Sequence, residues 1–184
     1  YREMTEHCLS EGGSMAIATL LPGHEAEYQG RPPVRLIAGA GQVVAHRKNP
    51  DGTFNILLQG VARVRIDEEL PPERTFRQVR ATLLPDVLPA DPGERAALDA
   101  TNQLLMDLAE RFATHLPRGA EALHELCRGA RCPSERADAL AAALVADAAL
   151  RQQLLENPDV GARVEQVAAE LSRMLHELSP QSSN

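Results

Sequence analysis

Between residues 54 and 66 apolar and polar side chains alternate. Phe54, Ile56, Leu58, Gly60, Ala62, Val64 and Ile66 share one parity, and Asn55, Leu57, Gln59, Val61, Arg63 and Arg65 the other. A period of two predicts a strand with the first set turned inward. Ahead of it, KNPDGT at 48–53 sets Pro, Asp and Gly in the order a turn uses, and Leu36–His46 reads as the partner strand of a hairpin, relieved by Gly39 and Gly41. Run straight, 54–66 would span roughly 43 Å, more than a small sheet needs, so Gly60 is expected to mark a bulge or bend. As a strained backbone position, Gly60 is expected to resist substitution, and Gly60→Val should destabilise the domain by more than about 1 kcal/mol.

The pattern on either side extends the picture. YREMTEHCLS at 1–10 suggests a short helix, SMAIATLL at 14–21 a buried strand, PGHEAEYQGRPPV at 22–34 a long polar loop, and Phe76–Leu84 a last strand that completes a small barrel or curled sheet. PDVLPADPG at 85–93 interrupts both periodicities and sets the boundary between halves. Beyond it Leu98, Thr101, Leu105, Leu108, Phe112 and Leu116 form one stripe of an amphipathic helix that Pro117 ends. Gly119–Cys127 supplies a second helix, Ser134 is placed to cap a third with Glu135 beside its positive end, and Asn157-Pro158-Asp159 starts the last. The stripe of that last helix is Val160, Val164, Val167, Leu171, Met174 or Leu175, and Leu178. The expected fold class is α+β: a β subdomain over 1–90, a helical bundle over 91–178 and a disordered tail over 179–184.

Composition narrows the function. The formal net charge is −7 and both halves are acidic, which removes the overall positive field that non-specific nucleic-acid binding requires. Aromatic residues make up 3% and Trp is absent, so stacking platforms for single strands are missing too. No run approaches the roughly 18 apolar residues of a membrane span, and no signal-peptide pattern opens the chain, so a soluble, cytoplasmic protein is expected. Three cysteines make an odd number, and reduced thiols are the default there.

Candidate chemistry is sparse. The His-Glu pairs at His24 and His124 lack the second histidine one turn on, because Tyr28 and Arg128 stand in its place. Cys127 and Cys132 have a permissible metal spacing without a second pair. No Gly-Lys pair serves a phosphate loop, the single lysine, Lys48, lies in a turn, and no serine sits in a nucleophile elbow. No catalytic residue, metal or cofactor is therefore expected.

Two distant motifs give a resemblance. PDGTFNILLQGVARVRI at 50–66 with its Gly-x-x-Arg-x-Arg at 60–65, and ADALAAALVADAALRQQLLENPDVGARVEQVAAEL at 137–171 with Arg-Gln-x-Leu-Leu-Glu at 151–156, resemble the N-terminal, substrate-binding domain of Lon proteases in order and spacing. YREM at 1–4 resembles the end of that family's Phe-Glu-x-Arg-Tyr-Arg-x-Met segment, and GAGQVVAH at 39–46 its glycine-containing second strand. The resemblance covers nearly the whole chain and implies a PUA-like β pseudo-barrel followed by a helical bundle, with the family's first apolar strand missing ahead of Tyr1. It also implies a non-catalytic role, because an active Lon enzyme needs an ATPase module and a Ser-Lys protease domain that 184 residues do not contain.

The implied partners are unfolded or misfolded polypeptides, or a second copy of the chain. An extended peptide could add to a sheet edge, with Leu57, Val61, Arg63 and Arg65 as candidate contacts. The competing expectation is that Leu57 and Val61 pack beneath a helix or loop while the arginines are merely solvated. Nucleic-acid binding through Arg63, Arg65, Arg77 and Arg80 is the second function class, disfavoured by charge and composition.

Overall fold

The computed structural model describes the chain apart from residues 13, 25, 27–29 and 179–184. The expected tail and part of the expected 22–34 loop lie outside the described residues. The fold is α+β, among the described residues a four-stranded antiparallel sheet with six helices, and it divides into two compact units, Tyr1–Pro85 and Asp86–Asn184.

In the first unit helix α1 (Arg2–Glu11) precedes β1 (Ser14–Ile17), β2 (Ile37–Lys48), β3 (Phe54–Glu69) and β4 (Val79–Leu84), which pair in chain order. The β2–β3 turn forms as its residues dictate. Asp51 Oδ1 accepts from the Thr53 amide at 2.9 Å, and Gly52 takes a φ of 82° that a side chain would oppose. β3 runs three residues past the predicted end, and the predicted SMAIATLL strand shortens to β1 with an isolated bridge from Leu20 to Val34.

β3 is bulged where the sequence places a bend. Ala40 pairs with Ala62 and Gly41 with Gly60, so Val61 is the extra residue, and further slips fall at Val44 and Asp67. The curl that results is visible in α1. Its Glu6 meets Lys48 at 2.9 Å beside the hairpin turn, while its Glu3 accepts from Thr75 at 2.5 Å and its His7 ring lies 5.6 Å from Phe76 beyond the other end of β3. A straight 16-residue strand would hold those anchors apart by about 50 Å, several times the length of α1.

The expected cause of the bend needs correcting. Gly60 has ordinary φ and a Cβ built there meets nothing within 4 Å, so it holds neither strain nor a close approach. The crowded glycine is Gly41, where a Cβ would lie 2.7 Å from both the Gln59 carbonyl oxygen and Leu58 Cγ.

The second unit holds α2 (Pro92–Ala113), α3 (Ala120–Gly129), α4 (Pro133–Leu144), α5 (Ala148–Glu156) and α6 (Val160–Leu178). Asp91 caps α2 through the amides of Gly93 and Glu94, with Pro92 in the first turn. Most of the predicted stripes of α2 and α6 is buried: Leu105, Val160, Val164 and Leu171 are fully inaccessible and share one core with Leu140 of α4, while Thr101, Leu116 and Met174 are half-buried and Leu178 is exposed. Two expectations change. The predicted third helix is two, α4 and α5, with Asp147 capping the latter through the amides of Ala149 and Leu150. Ser134 is not the cap of α4, which starts at Pro133 after Cys132; it lies inside the first turn with its hydroxyl buried against Asp86 and Arg163.

Candidate peptide-binding surface

Among the described residues the second unit buries a contiguous set of side chains drawn from α2, α3, α4, α5 and α6, whereas the sheet unit's cluster contains only Ala38, Val64 and Ile66 as buried members. Ile17, Leu36, Val44, Ile56, Leu57, Val61 and Leu83 stay exposed on or beside the strands. Isolated surface hydrophobes are ordinary; several on one small sheet are not.

The candidate residues fall into two places. Leu57 and Val61 are 62% and 54% exposed, which overturns the expectation that a helix or loop covers them. Both lie where β3 has β2 as its only neighbour among the described residues: the β1 register stops at Gln42, and β4 stops at Arg63 because Pro85 follows Leu84. From there to the turn, β2 and β3 form a two-stranded ribbon with a shallow depression lined by Ala45, His46, Arg47, Asn55, Ile56 and Leu57. Arg63 and Arg65 sit instead in the broader part of the sheet, opposite Leu84 and Thr82 of β4. Sequence parity put all four residues on one side; the bulge at Val61 separates the apolar pair from the basic pair.

Arg65, Arg77 and Arg80 are engaged with carboxylates. Arg65 donates to Asp67 at 3.1 Å, Arg80 pairs with Glu68, and Arg77 holds both oxygens of Glu69 at 2.8 Å while reaching the Pro32 carbonyl at 2.6 Å. Arg31 binds Glu69 from the other side at 2.8 Å. Three of the four arginines of the strip that could have offered a phosphate backbone free cations are thus neutralised by Asp67, Glu68 and Glu69 of β3.

These contacts shift the acids. The Arg77 guanidinium, and then Arg31, hold the Glu69 carboxyl below its usual 4.5, and the Thr82 hydroxyl with Arg65 does the same for Asp67. A carboxylate depressed in the fold stabilises it above the unfolded value, and loses that contribution as pH falls through the folded one. Stability should therefore drop as pH falls from about 5 towards 3, and Glu69→Gln should make the urea midpoint less pH-dependent over that interval.

Among the described residues no three His, Cys, Asp or Glu side chains converge to hold a metal, and Cys8, Cys127 and Cys132 are free thiols. No helix of the described residues is long and apolar enough to cross a membrane.

Comparison with known proteins follows the same lines. Residues 1–173 match the family model described as the ATP-dependent protease La (LON) substrate-binding domain. The Lon protease of Xanthomonas oryzae pv. oryzae (strain KACC10331 / KXO85) is 30% identical over 124 residues, which is 67% of this chain and 14% of that protein's length. The N-terminal domain of Mycobacterium avium complex Lon protease superposes with a TM-score of 0.64 at 22% identity, covering 89% of this chain and 80% of that one. The Lon N-terminal domain protein from Xanthomonas campestris gives 0.56 at 17% identity, over 92% and 82%.

Proposed function

The chain belongs to the ATP-dependent protease La (Lon) substrate-binding domain family, and on that premise we propose that it binds unfolded or misfolded polypeptides and catalyses no reaction itself. The observation that supports this reading is the ribbon of β2 and β3, where Leu57 and Val61 are exposed beside a shallow apolar depression. Unfolded chains display apolar side chains and unpaired backbone together, and such a surface suits both. Native proteins bury both and are passed over. A cytoplasmic setting fits the free cysteines.

Binding of this kind rests on apolar contact and main-chain hydrogen bonds, so it tolerates salt. Fluorescence anisotropy should show a labelled, permanently unfolded polypeptide binding at both low and high salt, and its native form binding at neither. Affinity that falls steeply with salt, or that is higher for RNA than for unfolded protein, would transfer the function to nucleic-acid recognition.

A further inference from the structure

We propose that the groove between α2 and α6 holds a binding site for one phosphate group. The site lies wholly in the helical unit, and the inference does not rest on the reading of the β2–β3 ribbon.

Leu108 and Arg111 of α2, with Ser172, Leu175 and His176 of α6, line a cleft of about 180 Å³. Leu108 and Leu175 are each 5% exposed and form its floor, while the three polar side chains are exposed at its rim. Helical spacing explains the arrangement. Arg111 follows Leu108 by three residues, and Ser172 and His176 stand one turn apart on either side of Leu175. Each helix that buries its leucine therefore brings polar neighbours to the mouth of one groove.

The three rim groups share one chemistry. The guanidinium carries a fixed charge and a fork of donors, and the hydroxyl and the imidazole each add a donor. None of these side chains makes a hydrogen bond or ion pair to another described residue. The acids nearest in sequence are committed elsewhere. Asp107, one turn before Arg111, accepts from Gln103 at 3.1 Å, and Glu170 and Glu177 are both held by Arg173. Glu110 lies within electrostatic reach of Cys127 on α3. Both helices approach their C-termini here, where backbone carbonyls disfavour an anion. At α2 that effect is offset, because the Arg111 carbonyl already accepts from the Thr114 hydroxyl at 2.7 Å and from the His115 ring at 3.0 Å.

Size and rim select the ligand. The cleft takes a group of a few heavy atoms, and its polar rim gives an apolar client side chain little to hold. Donors reaching in from two helices suit a tetrahedral oxyanion, which presents an oxygen to each, better than a planar carboxylate. SPQSSN at 179–184, which follows α6 in sequence, has no acidic side chain to supply the anion.

The test titrates the whole chain with inorganic phosphate and, separately, with methyl phosphate at constant ionic strength, followed by amide chemical shifts. At least one titration should give saturable changes centred on residues 108–115 and 172–178. Tighter binding of the ester assigns the site to a phosphorylated molecule, and tighter binding of the free ion assigns it to phosphate itself. Arg111→Ala should weaken binding at least about tenfold, and Arg111→Lys, which keeps the charge without the fork, by less. Arg111 is exposed, so the melting curve of Arg111→Ala without phosphate should match that of the parent. Arg151→Ala removes an exposed arginine of α5 outside the cleft and should bind as the parent does. Equal weakening in Arg111→Ala and Arg151→Ala would reduce the effect to general attraction and overturn the site. Acetate bound as tightly as phosphate, or no saturable change at millimolar phosphate or ester, would overturn it too.

Discussion

Asp86→Ala should cost the helical unit about 3 kcal/mol or more of unfolding free energy. The reason is Arg163, whose guanidinium is fully buried within α6. Its Nη2 donates to Asp86 Oδ1 at 2.9 Å and to the Ser134 hydroxyl at 2.6 Å, and its Nη1 to the Asn157 carbonyl at 2.9 Å. Nε lies 3.2 Å from Asp138 Oδ1 but makes no aligned hydrogen bond there. Four segments thus converge on one cation: the entry to the unit, α4, the α5–α6 turn and α6 itself. Removing Asp86 leaves the charge buried with half its carboxylate complement, whereas an apolar side chain of similar length has no charge to strand. In an Arg163→Met background Asp86→Ala should therefore cost under about 1 kcal/mol, and urea titrations of the four proteins give the coupling directly. Equal costs in both backgrounds would mean that Arg163 packs rather than pairs.

The second large effect belongs to the sheet unit. Gly41→Val should destabilise it by about 2–3 kcal/mol, because the new Cβ collides with a backbone carbonyl and with Leu58 of the neighbouring strand, and β3 must shift to admit it. Gly60→Val meets open space at an ordinary φ and should stay within about 1 kcal/mol of the parent. The unit is sensitive because its cluster is thin, with only Ala38, Val64 and Ile66 buried at its centre among the described residues. Thermal melts of both variants decide the matter: similar losses at the two positions would show that the bulge, and not crowding, governs the need for glycine.

That pair of glycines shows where sequence reading reaches its limit. Period two gave the long strand and the hairpin turn, because those follow from local chemistry that each residue carries with it; its inward parity holds at Val64 and Ile66, which are buried, and fails at Ile56, which is exposed. Which glycine is indispensable depends on the atoms across the ladder, and Gly41 and Gly60 look alike until Leu58 and Gln59 are placed. Arg163 was missed for another reason: an arginine reads as surface. Its position was the available signal, three residues after Val160 and four before Val167, on the face that the stripe turns inward. The break between α4 and α5 falls in an alanine-rich run where every helical face looks apolar, and only Asp147 marks it. For the surface, parity could say that Leu57 and Val61 point away from the strand's inner side. It could not say that nothing covers them, since that depends on where β1 and β4 end.

The most direct test is amide hydrogen exchange of the whole chain with and without a permanently unfolded polypeptide. Slowed exchange across residues 54–62, with the helical core around Leu105 and Leu171 unchanged, is the result expected of a polypeptide held at the β2–β3 ribbon. Protection confined to the helical unit, or no protection anywhere in the presence of excess polypeptide, would contradict the account.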